Sequence, residues 1–95
     1  MDNQWKILVL LLQEIATQKG LTHQQIADGS GLQRSHVSRF FGLKYSPNID
    51  TFLKVAKSIE VNFFFEDRES KTDLNLAMEK AMEQLGRRVN KLPKN

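Results

Sequence analysis

His23 and His36 are the chain's two imidazoles, and Ser35 and Ser38 flank the second of them. These residue types admit metal ligation, nucleophilic catalysis or plain hydrogen bonding to a polar partner. A metal site needs three or four ligands; the chain has no cysteine, and neither histidine has a carboxylate pair at ligand spacing. A serine nucleophile needs a base and a residue that orients it, and no such set is legible around Ser35 or Ser38. Gly29-Ser30-Gly31 lacks the rest of a phosphate-loop pattern and reads as a turn. The chain therefore reads as a non-enzyme, with no metal and no cofactor. Hydrogen bonding and charge are what remain.

The charge is localised. Residues 31–57 carry Arg34, Arg39, Lys44, Lys54 and Lys57 against Asp50 alone. Residues 60–69 carry Glu60, Glu66, Asp67 and Glu69 against Arg68. A basic stretch beside an acidic one is either a face for a polyanion or an ordinary solvated surface. With 95 residues, 40% hydrophobic and 26% charged, the chain fits one compact domain with a short appendage. The apolar run Ile7 to Leu12 is far shorter than the roughly 20 residues that span a bilayer, and Gln13-Glu14 follows it with no cleavage pattern. Together with the lack of cysteine, this predicts a soluble protein of the cytoplasm.

Hydrophobic spacing is helical almost throughout, which predicts an all-α fold of five helices. The first spans about 4–19, with Leu8, Leu12, Ile15 and Ala16 inward and Gly20 as terminator. The second begins at Thr22, a capping hydroxyl, and turns Ile26 and Ala27 inward. The third spans about 33–41 and stops at Gly42. Pro47 and Asn48 open the fourth, whose buried stripe is expected to be Ile49, Phe52, Leu53, Val55, Ala56 and Ile59. Phe63-Phe64-Phe65 is expected to bury part of its area before a charged linker. The fifth helix, about 72–90, carries Leu74, Met78, Ala81, Leu85, Val89 and Leu92 in a narrow near-heptad seam, leaving Pro93-Lys94-Asn95 as a disordered tail. Domain boundaries are placed at 1–69 and 70–95.

Three residues between helices two and three have a spacing that two closely crossing helices require. Ala27 is small where the second helix passes, Gly31 tolerates a left-handed turn, and Val37 is a branched plug. Thr22, Ile26, Leu32 and the downstream run from Pro47 to Val61 strengthen the pattern. The segments Leu21 to Ala27, Gly31 to Arg39 and Ser46 to Ile49 resemble the lambda-repressor/Cro (XRE-type) helix-turn-helix family, over about residues 5–65. The resemblance implies a five-helix lambda-repressor-like domain that binds operator DNA, generally as a dimer, and controls transcription in bacteria or phage. Two positions depart from the family pattern. Leu43 stands where glycine is usual, implying a different loop path, and Ser30 replaces a bulkier residue, implying a looser end to helix two.

By correspondence with the family's base-reading positions, Gln33, Arg34, Ser35, His36 and Arg39 are the candidate base readers. An arginine such as Arg34 can pair bidentately with guanine, and a glutamine such as Gln33 with adenine. Arg39 reads equally as a phosphate contact or a solvated charge. The amides at the start of helix two favour an anion, with Thr22, His23 and Gln24 adding donors. Lys44, Tyr45 and Ser46 form the second phosphate clamp, whereas Lys54 and Lys57 read as solvated.

The first helix is more apolar than one small core requires. A homodimer interface is therefore expected from Leu74, Met78, Ala81, Leu85 and Val89 together with Val9 and Leu10, the other reading being an intramolecular cap. The leading function is a dimeric repressor on a palindromic operator of double-stranded DNA. The alternatives are an antitoxin whose C-terminal segment binds a toxin protein, or a protein-interaction module that has lost DNA binding.

Overall fold

A computed structural model describes residues 3–90, with the side chains of residues 3–87. These residues form five helices and no strand: α1 (Gln4–Gln18), α2 (His23–Ser30), α3 (Arg34–Phe41), α4 (Ile49–Ile59) and α5 (Leu74–Asn90). The chain divides into two compact units, Met1–Asn62 and Phe63–Asn95. The tail 93–95, Leu92 and the side chain of Val89 lie outside the described residues.

In the first unit, local chemistry sets the helix ends. Thr22 Oγ1 accepts the Gln25 amide at 3.1 Å, and Gln25 Oε1 accepts the Thr22 amide at 2.9 Å, a reciprocal cap that starts α2. Gly31 ends α2 at φ 78°, and its amide returns to the Ala27 carbonyl at 2.9 Å. Ser30 does not loosen this end; its Oγ donates to the Ala27 carbonyl and accepts the Leu32 amide, stitching the turn. Asn48 Oδ1 caps α4 by accepting the Thr51 amide at 2.7 Å.

The core joins Val9, Leu12 and Ala16 of α1 to Ile26 and Ala27 of α2, Val37, Phe40 and Phe41 of α3, and Val55, Ala56 and Ile59 of α4. Phe40 meets Phe41 edge-on at 5.0 Å between ring centroids and Phe52 at 6.2 Å. Gly29 lets α2 approach α4 closely, since a Cβ there would stand 3.2 Å from Ser58 Cβ. The helix crossing has the residues the sequence assigned to it: Ala27 and Val37 are both buried, and Gly31 is left-handed.

Two expectations about buried faces need correction. Val9 is fully buried in its own chain's core and cannot belong to a dimer interface, while Leu8 is half exposed. The run from Ile7 to Leu12 is apolar on every side, so its periodicity does not choose a face; the stripe through Trp5, Val9, Leu12 and Ala16 is the one that packs. In α4, Ile49 is 76% exposed and Leu53 about half exposed, and Thr51 takes a buried place instead. Ile49 is the first helical residue, ahead of the turn where the stripe begins, and Leu53 lies about 160° around the helix from Val55. The aromatic triplet buries part of its area, as expected, but only through Phe63, which is about half exposed; Phe64 and Phe65 are 91% and 84% exposed.

In the second unit, Asp67 organises the connection to α5. The Thr72 side chain, with the amides of Glu69, Thr72 and Lys71, holds its carboxyl below the usual carboxylate range. Asp73 Oδ1 then caps α5 by accepting the Leu76 amide. Phe63, Phe64 and Phe65 with Leu74, Met78 and Ala81 line an open groove of about 510 Å³. Leu74, Met78, Ala81 and Leu85 are all exposed, as is Leu10 of α1 in the first unit.

Candidate nucleic-acid interface

α3 divides its eight residues between core and solvent. Val37, Phe40 and Phe41 anchor it, and Arg34, Ser35, Ser38 and Arg39 are exposed. At about 100° per residue, the order around the axis is Arg34, Ser38, Ser35, Arg39 over an arc of about 140°. The two arginines thus bracket two hydroxyls on one polar face, and Arg39 joins Arg34 there despite its spacing of five. His36 sits at the edge of this face, half-buried.

Gln33 is the N-cap of α3, yet its side chain makes no capping hydrogen bond and is exposed. It is therefore available to a partner beyond the helix. α3 contains no acidic residue. Among the described residues the ion pairs are Lys54–Asp50 at 3.2 Å and Arg87–Glu83 at 2.6 Å, so no described carboxylate neutralises Arg34, Arg39 or Lys44. The Lys54 pair is exposed and leaves that lysine locally balanced, in keeping with a solvated residue.

The start of α2 lies against α3. His23 Nδ1 is 3.1 Å from Ser38 Oγ, and its ring stacks on Phe41 at 5.4 Å with an interplanar angle of 21°. The cap of α2 occupies the Thr22 and Gln25 amides, leaving those of His23 and Gln24 at the positive end of the helix dipole. Gln24 is turned along its own helix, with Nε2 donating to Asp28 Oδ1 at 2.9 Å, which commits one of its two amide hydrogens.

Lys44, Tyr45 and Ser46 are exposed on the loop after α3. Leu43 is the position at which the sequence predicts a changed loop path. Leu43 itself adopts the left-handed conformation, at φ 62°, that glycine supplies readily. Its half-buried side chain packs against the core and offsets part of the strain. Sequence reasoning weighed Ser38 only as a nucleophile and passed over it as a contact. Its position four residues after Arg34 was the available signal.

A family model described as helix-turn-helix, the XRE type of lambda repressor and Cro, matches residues 12–65. That is more than half of the chain and includes α2, the turn, α3 and α4. The chain belongs to the XRE-type helix-turn-helix family. As a member of this family it is a DNA-binding transcription regulator. Comparison with curated proteins and with solved structures found no significant match. Among the described residues, no helix of this XRE-type chain is long and apolar enough to cross a membrane.

Proposed function

We propose that the protein is a homodimeric repressor that reads a palindromic operator with α3 in the major groove. Gln33, Arg34, Ser35, His36 and Arg39 meet base edges. Thr22, His23 and Gln24 hold phosphates on one side of the groove, and Lys44, Tyr45 and Ser46 hold them on the other. The observation that carries this reading is the outward arc of α3, where two unpaired arginines flank two hydroxyls with no acidic residue beside them. A retained fold that had lost DNA binding would have no use for such a face.

The exposed apolar residues Leu74, Met78, Ala81 and Leu85 of α5 support a protein contact in the second unit. A second copy is the reading we adopt, because two-fold symmetry in the protein matches two-fold symmetry in an operator. A toxin protein on the same surface is the alternative, and co-purification of an unrelated small protein with the chain decides for it. Selection of bound duplexes from random DNA tests the whole reading. Enriched sites are expected to contain two inverted half-sites about 10–10.5 base pairs apart, or a multiple of that. A single asymmetric site removes the dimeric reading, and no enrichment removes sequence-specific binding.

A further inference from the structure

His23 belongs to the phosphate-facing end of α2, and Ser38 to the outward arc of α3, yet Nδ1 and Oγ are 3.1 Å apart. The stack on Phe41 fixes the ring plane. Nε2 has no hydrogen-bond partner among the described residues, where no buried side-chain nitrogen or oxygen lacks one. Nε2 therefore opens to solvent. One ring nitrogen is tied to the reading helix, and the other is presented outward.

Resting on the operator-binding reading above, we propose that the protonation of His23 sets whether Ser38 offers the groove an acceptor or a donor, so that base preference changes with pH. A phosphate against Nε2 favours forms with a hydrogen on that nitrogen. In the neutral form of this kind, Nδ1 is an acceptor, so the Ser38 hydroxyl donates to it and shows the groove lone pairs. In the imidazolium both nitrogens donate. Nδ1–H is then given to Ser38 Oγ, and the hydroxyl hydrogen is released towards the groove. The acceptor form suits adenine N6 or cytosine N4, and the donor form suits guanine O6 or N7, or thymine O4. Phosphate contact stabilises the cation, so the added affinity is present at low pH and is lost as pH rises.

The groups placed on the ring, Ser38 and Phe41, are uncharged. The charged residues of the elements packed around it are few. α2 has Asp28, held by Gln24; α3 has Arg34 and Arg39; and α4 has Lys57 and the pair Asp50 and Lys54. His36 is the other titratable group of α3.

The test is duplex selection from a random pool at about pH 6 and about pH 8, with wild type, His23→Gln and Ser38→Ala. The wild type is expected to change its preferred base at one position per half-site between the two pH values. It should also bind its pH 6 duplex roughly three- to tenfold more tightly at the lower pH. Both variants should show one preference at that position at both pH values, in a His36→Gln background as well as in the native one. A wild-type preference independent of pH, or a change at that position that survives either substitution in the His36→Gln background, overturns this inference alone. Failure of the wild type to enrich any sequence overturns the operator reading beneath it. An NMR titration of the wild-type His23 ring needs no variant. Its midpoint should rise when the selected duplex is added, and an unchanged or lowered midpoint refutes the proposal.

Discussion

Lys19 Nζ lies 2.6 Å from the carbonyl oxygen of Ile59 and 3.4 Å from that of Glu60. The last carbonyls of a helix lack intrahelical donors and carry partial negative charge, so an ammonium there is favourable on both counts. The contact ties the end of α1 to the end of α4 across forty residues of sequence. Replacing Lys19 by methionine keeps the side-chain stem and removes the charge. We expect a loss of about 1–2 kcal/mol in unfolding free energy by denaturant titration, with base preference unchanged. A variant as stable as the wild type would show that the contact contributes nothing.

The register of α1 gives a second prediction. Val9→Ala should lower stability by about 1.5–3 kcal/mol, because it empties a fully buried place. Leu10→Ala, on the exposed side, should lower the stability of the isolated chain by under about 1 kcal/mol. The reverse order in thermal or chemical unfolding would mean that the other face packs.

Phosphate contacts should be visible in the salt dependence. Specific affinity is expected to fall with a log–log slope of about −0.9 per phosphate neutralised. Lys44→Gln should weaken all duplexes alike and make the slope shallower by about 1. An unchanged slope places Lys44 away from the backbone of DNA.

Leu85→Asp puts a charge on the exposed apolar side of α5. If α5 forms the proposed dimer, light scattering should report a dimer for the wild type and a monomer for the variant. An unchanged mass rules out that side of α5 as the interface.

The elements whose spacing is fixed by backbone chemistry were legible in the sequence. The cap at Thr22, the small Ala27, the left-handed Gly31 and the plug at Val37 each answer a local requirement that few residue types meet. The inward side of α1 was not, because Ile7 to Leu12 offers apolar residues in every direction and only tertiary packing selects among them. The excess of apolar residues in α4 hid Ile49 and Leu53 in the same way. Leu43 shows that a leucine can take a left-handed turn when its side chain reaches the core, which a residue-by-residue reading cannot foresee. Of the outward arc of α3, the basic residues and their spacing were readable. The link from His23 to Ser38 was not, since it depends on how two helices cross.

The most direct test of the outward arc of α3 as the DNA-reading surface is the affinity of Arg34→Ala for the selected duplex and for one of scrambled sequence. The account predicts a loss of about 1–3 kcal/mol on the selected duplex, a smaller loss on the scrambled one, and relaxed discrimination at a single base pair. Equal losses on both duplexes would contradict it, because Arg34 would then touch only what all DNA shares.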